Sequence, residues 1–136
     1  MNIIYFNQQF IPQEDACISI MDRGFLFGDA IYEVIPFFDG TPLGLQPHLK
    51  RLSDNAKKLN IINPHTESEW KNIFSEMIKR NNIQKTSFSV YLQITRGSHP
   101  TRQHLIPANC NPTVVAFCYP MQPLDHTQTH KAILLK

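Results

Sequence analysis

Between Ser87 and Thr95 the chain alternates without a break. Phe88, Val90, Leu92 and Ile94 are apolar, and Ser89, Tyr91, Gln93 and Thr95 stand between them. A period of two is the pattern of a strand with one buried face. Such a strand is unstable alone, so this segment commits the chain to a sheet with neighbouring strands and a layer packed on its apolar side.

The same sequence supplies that layer. Thr66 and Glu69 have capping-box spacing, and Trp70, Ile73, Phe74, Met77 and Ile78 follow as an apolar stripe at helical intervals that ends near Asn81 and Asn82. A core-facing helix is the reading of that stripe. Leu49, Leu52, Ala56 and Leu59 mark a second helix over Pro47–Asn60, with the proline in a first turn that tolerates it.

Further strands complete the sheet. Ile3–Phe6 and Phe10–Ile11 flank Asn7-Gln8-Gln9 as a hairpin, and Cys17–Ile20 reads as a short additional strand. Ala30–Phe38 runs into Asp39-Gly40, a dipeptide suited to a tight turn, with Thr41–Leu45 returning. Pro36 inside that run indicates an edge or a bulge. Arg96–Pro112 reads as a loop and Thr113–Tyr119 as a buried strand. The fold class is therefore α+β, an antiparallel sheet with two helices packed on it.

Composition narrows function by exclusion. The 136 residues suit one compact domain, and 13 basic against 11 acidic residues with 18% charged leave neither a disordered chain nor a polybasic nucleic-acid surface. The three cysteines are an odd number without a CxxC pair, which argues against a disulfide framework or a zinc ribbon. The first residues lack a secretion signal and no apolar run has the length of a membrane span, so a cytoplasmic protein with no membrane or nucleic-acid partner is expected. His99 and His104 have no carboxylate nearby and the other histidines are scattered, so no metal site is assigned.

Chemistry-bearing residues concentrate in three places. In Asp22-Arg23-Gly24-Phe25-Leu26-Phe27-Gly28-Asp29 two glycines permit a tight path that Asp22, Arg23 and Asp29 can hold by charge-assisted hydrogen bonds, a structural turn leading into a strand. If that strand alternates, Tyr32 faces away from Ile31, Glu33 and Ile35. It is then either a core tyrosine with a wet tip or a hydroxyl donor in a cavity. Arg51 on the first helix is either a solvated arginine or a fork for an anion. The segment Arg96 to His104 gathers two arginines and two histidines on a loop, a composition suited to capturing an anion.

The segment DRGFLFGDAIYEV resembles the N-terminal signature of the class IV, fold-type IV pyridoxal-phosphate enzymes, and the resemblance continues through PHLKRLSDNAKKLNI and YLQITRGSHPTRQHLIP. Tyr32 with Arg102-Gln103-His104 is most similar to the D-amino acid aminotransferase branch. The resemblance implies that the chain is the small N-terminal domain, residues 1–136, of a dimeric enzyme that transaminates between a D-amino acid and a 2-oxo acid. It implies that Arg51 contacts the phosphate of pyridoxal 5'-phosphate. It also implies that Tyr32, Arg102 and His104 trap the substrate carboxylate, the last two reaching into the neighbouring subunit of a homodimer. Aminodeoxychorismate lyases and branched-chain aminotransferases share the fold and stand as alternatives, as does a fragment that folds and dimerises without turnover.

Two departures from the family pattern follow. Ala30 stands where many relatives have a second glycine. The Schiff-base lysine is expected beyond Lys136, in a C-terminal domain that this chain does not include, which leaves no catalytic residue in the chain and makes it inactive alone. His130–Lys136 reads as the start of another strand, either a last strand of the sheet or the point of truncation before that domain.

Overall fold

The computed structural model describes residues 2–121, and the segment His130–Lys136 lies outside them. Six strands form one antiparallel sheet: β1 (Ile3–Phe6), β2 (Gln9–Pro12), β3 (Ala30–Phe38), β4 (Thr41–Pro42), β5 (Phe88–Thr95) and β6 (Val114–Pro120), in the order β2-β1-β6-β5-β3-β4. Three α-helices accompany it, α1 (Arg23–Phe27), α2 (Leu45–Leu59) and α3 (Glu67–Arg80). The α+β class is as expected, with the two longer helices as the covering layer.

The alternating strand is central. Leu92 of β5 lies between Glu33 of β3 and Ala116 of β6, so the even-numbered apolar residues of β5 share a face with Ile31, Ile35, Val114 and Ala116. Against that face α2 buries Leu49, Leu52 and Ala56, and α3 buries Trp70, Phe74 and Met77. The capping box at Thr66 and Glu69 is fully formed: Thr66 accepts from the Glu69 N–H and Glu69 accepts from the Thr66 N–H. Among the described residues no helix is long and apolar enough to cross a membrane.

Two tight turns rest on residues that accept a positive φ. Asn7 (φ 44°) and Gln8 (φ 72°) close β1 onto β2, and Asp39 (φ 47°) and Gly40 (φ 76°) close β3 onto β4. Both turns have the paired positive φ values that match strand twist. Pro36 marks neither an edge strand nor a bulge, since β3 pairs with β5 in unbroken register and has the two-residue β4 on its other side. Its carbonyl accepts the Leu43 N–H. In an antiparallel strand the N and the C=O of a residue point the same way, so the nitrogen without a hydrogen faces away from β5 and costs the ladder nothing.

Three expectations are corrected. Cys17–Ile20 is not a strand, because Ile18 and Ile20 are exposed and the segment is a connection from a 3-10 turn (Gln13–Asp15) to α1. The return after Gly40 is a strand only over Thr41–Pro42, with one further bond from Leu43, since Gly44 with φ 66° turns the chain and Leu45 already starts α2. The signature segment is a helical turn and not a plain turn: Asp22 caps α1 by accepting the Gly24 N–H, and Gly28 ends it at φ 66°.

Candidate functional site

The signature segment is organised by Asp29. Its carboxylate accepts from Arg23 Nε at 2.8 Å and from Arg96 Nε at 2.7 Å and Nη2 at 2.9 Å, and both arginine side chains are buried. Burial opposes ionisation of Asp29, but hydrogen bonds and charge from Arg96 and Arg23 outweigh it and hold the carboxyl below its usual range. Arg96 also donates to the carbonyls of Leu59 and Asn60, where α2 ends. Arg96 is therefore engaged inside the domain, which removes it from the anion-capturing set expected on the loop.

Asp22 is the second buried anchor. Beyond capping α1 it accepts from the hydroxyls of Thr95 at 3.0 Å and Thr113 at 2.6 Å, tying the helical turn to β5 and the start of β6. Gly24 is required by this closeness, because a Cβ there would stand 2.4 Å from Thr95 Cγ2.

From this base the loop after β5 is held in place. The Arg23 N–H donates to the Gly97 carbonyl, and Arg23 Nη1 donates to the Gln103 carbonyl at 2.8 Å. The residues on either side of Gln103 both meet Phe27. The Arg102 guanidinium carbon lies 4.9 Å from the Phe27 ring centroid, and the His104 ring lies 5.2 Å from the same ring. Both side chains are otherwise exposed, and among the described residues neither has an acidic partner.

Tyr32 is 64% exposed, on the sheet face away from the helices, where it stacks on Tyr91 at 5.8 Å. The Tyr91 ring in turn stacks on Phe117 at 5.1 Å. Its position excludes the reading as a core tyrosine. No hydrogen bond among the described residues joins Tyr32 to Arg102 or His104. The structure thus brings Arg102 and His104 onto one ring, Phe27, while Tyr32 packs on Tyr91.

Arg51 stands on α2 with its guanidinium along Glu33, Nε to Oε1 at 2.8 Å and Nη2 to Oε2 at 2.6 Å. His48, one helical turn earlier, places Nδ1 2.7 Å from Oε2 of the same carboxylate. Glu33 is 2% exposed, between Ile31 and Ile35 on the buried face. Desolvation pushes its pKa up, but the hydrogen bonds from Arg51 and His48 and the charge of Arg51 bring it below the usual range. Among the described residues Nη1 of Arg51 has no acceptor and its side chain is largely exposed, so the fork has donors left for a further anion. A pair already neutralised on one side fits a single phosphate contact, not a whole phosphate cup.

Sequence reasoning missed Glu33, His48, Phe27 and the buried role of Arg96. Glu33 carried a readable signal, since it shares strand parity with Ile31 and Ile35 and a carboxylate aimed into a core needs a cation. Phe27 carried none, because a ring four residues after Arg23 is as easily packed inward.

Comparison with known proteins gives the family and the fold. The family model for class IV amino-transferases matches residues 30–136. The chain is 35% identical over 104 residues to a D-alanine aminotransferase of Listeria monocytogenes, covering 76% of this chain and 35% of that protein. It is 34% identical over 125 residues to a D-alanine aminotransferase of Bacillus licheniformis, covering 92% and 43%. The chain thus spans about two fifths of the length of these relatives. The fold is shared with the Escherichia coli branched-chain amino acid aminotransferase at a TM-score of 0.81 and 22% identity, over 93% of this chain and 42% of that one. A T.th. branched-chain amino acid aminotransferase solved with N-(5'-phosphopyridoxyl)-L-glutamate shares it at a TM-score of 0.77, with 22% identity over 88% and 41% of the two chains. With the family model matching most of the chain and the fold shared along it, the chain belongs to the class IV aminotransferases.

Proposed function

We propose that this chain is the N-terminal domain of a pyridoxal-phosphate enzyme that transfers an amino group between a D-amino acid and a 2-oxo acid, and that it supplies the substrate-carboxylate trap and one cofactor contact. The carrying observation is that Arg102 and His104 both rest on the Phe27 ring without an acidic partner among the described residues, while Arg23 and Arg96, the neighbouring arginines, are neutralised inside the domain. A cation presented in this way is available to an anion from outside.

Each residue has a role that its chemistry supports. The Arg102 fork offers parallel N–H donors to a carboxylate, Tyr32 an O–H donor, and His104 a ring N–H. In this reading, as the family resemblance implies, Arg102 and His104 reach the site of a second copy, so the complete trap belongs to a homodimer. Phe25, Leu105 and Ile106, close in sequence to the trap loop and its support, are 73%, 79% and 61% exposed and offer apolar surface for such a contact. Holding the carboxylate on one side fixes which hydrogen at Cα faces the proton-transferring group, and so selects one enantiomer.

Arg51 would hold the cofactor phosphate through Nη1, its Nε and Nη2 edge being fixed by Glu33, which His48 also bonds. Pyridoxal phosphate, when bound, supplies the electron sink for the Cα–H bond that breaks. The lysine that carries the cofactor is assigned to the part of the relatives' length that this chain does not span.

The test is turnover by the complete protein. D-alanine with a 2-oxo acid acceptor is expected to react, with L-alanine and aminodeoxychorismate at or near background. Pyruvate release from aminodeoxychorismate as the main activity would replace this reading with the lyase one.

A further inference from the structure

The support beneath the trap is as specific as the trap. Phe27 ends α1, one helical turn after Arg23, and three groups converge on its ring: the Arg23 guanidinium carbon at 4.8 Å from the centroid, the Arg102 guanidinium carbon at 4.9 Å and the His104 imidazole at 5.2 Å. Arg23 is fixed from below by Asp29 and in turn fixes the loop by its bond to the Gln103 carbonyl. The loop is thus pinned at Gln103, and its two flanking side chains rest on one ring. Arg102 and His104 make no side-chain hydrogen bond or ion pair among the described residues, so the ring is what limits their rotamers there.

On the reading that Arg102 and His104 bind the substrate carboxylate, we infer that Phe27, braced by Arg23, is a positioning residue that presets both before substrate arrives. The physical basis is population. A guanidinium on an aromatic face is favoured by about 0.5–1 kcal/mol at an exposed site. Losing that preference lowers the fraction of trap in its binding conformation, and the apparent affinity falls by the same factor, about two- to fivefold. Phe27 touches no reacting atom, so the effect falls on binding and not on the chemical step.

The experiment compares Phe27→Leu, Phe27→Met and Phe27→Tyr in the complete, cofactor-loaded protein, with Arg102→Ala beside them. Phe27→Leu and Phe27→Met, which keep a large apolar side chain but no ring, are expected to raise KM for D-alanine about two- to fivefold with kcat within about twofold. Phe27→Tyr, which keeps the ring, is expected to match the parent. A second readout needs no turnover. The His104 ring protons are expected to lose their ring-current shift in nuclear magnetic resonance spectra of both aliphatic variants and to keep it in Phe27→Tyr. Unchanged KM in both aliphatic variants while Arg102→Ala weakens carboxylate binding overturns the role of Phe27 and leaves the trap standing. No effect from Arg102→Ala overturns the trap itself, and the role of Phe27 with it. Equal loss of kcat and kcat/KM in all three Phe27 variants would mark a general folding role and also overturn it.

Discussion

Arg51 is held by Glu33 from inside the sheet: a carboxylate buried among Ile31 and Ile35 accepts from Nε and Nη2 of a guanidinium whose other side faces outward. The buried acid fixes the angle of the fork, and the helix only has to bring the arginine within reach.

Removing the acid without leaving a hole separates fixing from folding. Replacing buried charge by an apolar group of similar volume is often neutral or stabilising when no buried charge is left unpaired, and the Arg51 side chain left behind is largely exposed. Glu33→Met is expected to leave the thermal midpoint of the complete protein unchanged or raised, while affinity for pyridoxal phosphate falls. Calorimetry and equilibrium dialysis on the same preparation read the two effects. Unchanged affinity would mean that Arg51 does not need Glu33 or does not meet the phosphate.

Asp29 is different, because two buried arginines depend on it. Asp29→Asn removes the charge that Arg23 and Arg96 share and leaves uncompensated buried cations. A loss of about 3–5 kcal/mol of folding stability is expected. Urea denaturation measures it, and a loss under about 1 kcal/mol would show that the two arginines find water or other acceptors.

Gly24 tests the closeness of α1 to β5. Gly24→Ala puts its Cβ 2.4 Å from Thr95 Cγ2 and 2.8 Å from Thr95 Cβ, so Thr95 has to shift, and with it the bond to Asp22. Overpacking of this kind costs about 1–3 kcal/mol. Adding Thr95→Ser removes the nearer clash and is expected to restore part of that loss. A double variant no more stable than Gly24→Ala alone would place the strain elsewhere.

Stability is expected to fall on acidification in two stages. Burial against Tyr5 and Trp70 holds the His65 pKa below the ordinary 6.5. The ring places Nε2 2.6 Å from the Tyr5 hydroxyl, within hydrogen-bonding distance. As pH drops below about 6.5 the unfolded chain binds a proton that the folded one resists, and stability declines. The folded-state pKa values of Asp29 and Glu33 are likewise depressed, so their contribution is present above the ordinary carboxylate range and is lost as pH falls through it. Thermal midpoints between about pH 7.5 and pH 3 would show both stages, and His65→Gln is expected to abolish the first only. A midpoint that rises between about pH 7 and pH 5 would contradict the assignment.

The sequence states its fold where pattern and burial coincide. Phe88 to Ile94 alternates because one face of β5 is covered by α2 and α3, and the stripe from Trp70 to Ile78 exists for the same reason. Ion pairs are legible only in part. The charged residues of the signature stand out, but Arg96 is far from Asp29 in sequence and only the sheet brings it there. Cys17–Ile20 misleads because apolar residues with no strand partner look like a strand until their exposure is known. The trap residues are reached through family resemblance. Their common rest on Phe27 depends on a loop path that no periodicity records.

The most direct test of the trap is the affinity of the complete protein for a carboxylate substrate with and without the Arg102 guanidinium. Arg102→Ala is expected to weaken D-alanine binding about ten- to a hundredfold, the equivalent of one charge-assisted hydrogen-bonded pair in a desolvated site. Cofactor binding, which the proposed reading assigns to Arg51, is expected to stay the same. D-alanine affinity unchanged by Arg102→Ala would contradict the assignment, because the exposed cation resting on Phe27 would then have no carboxylate to meet.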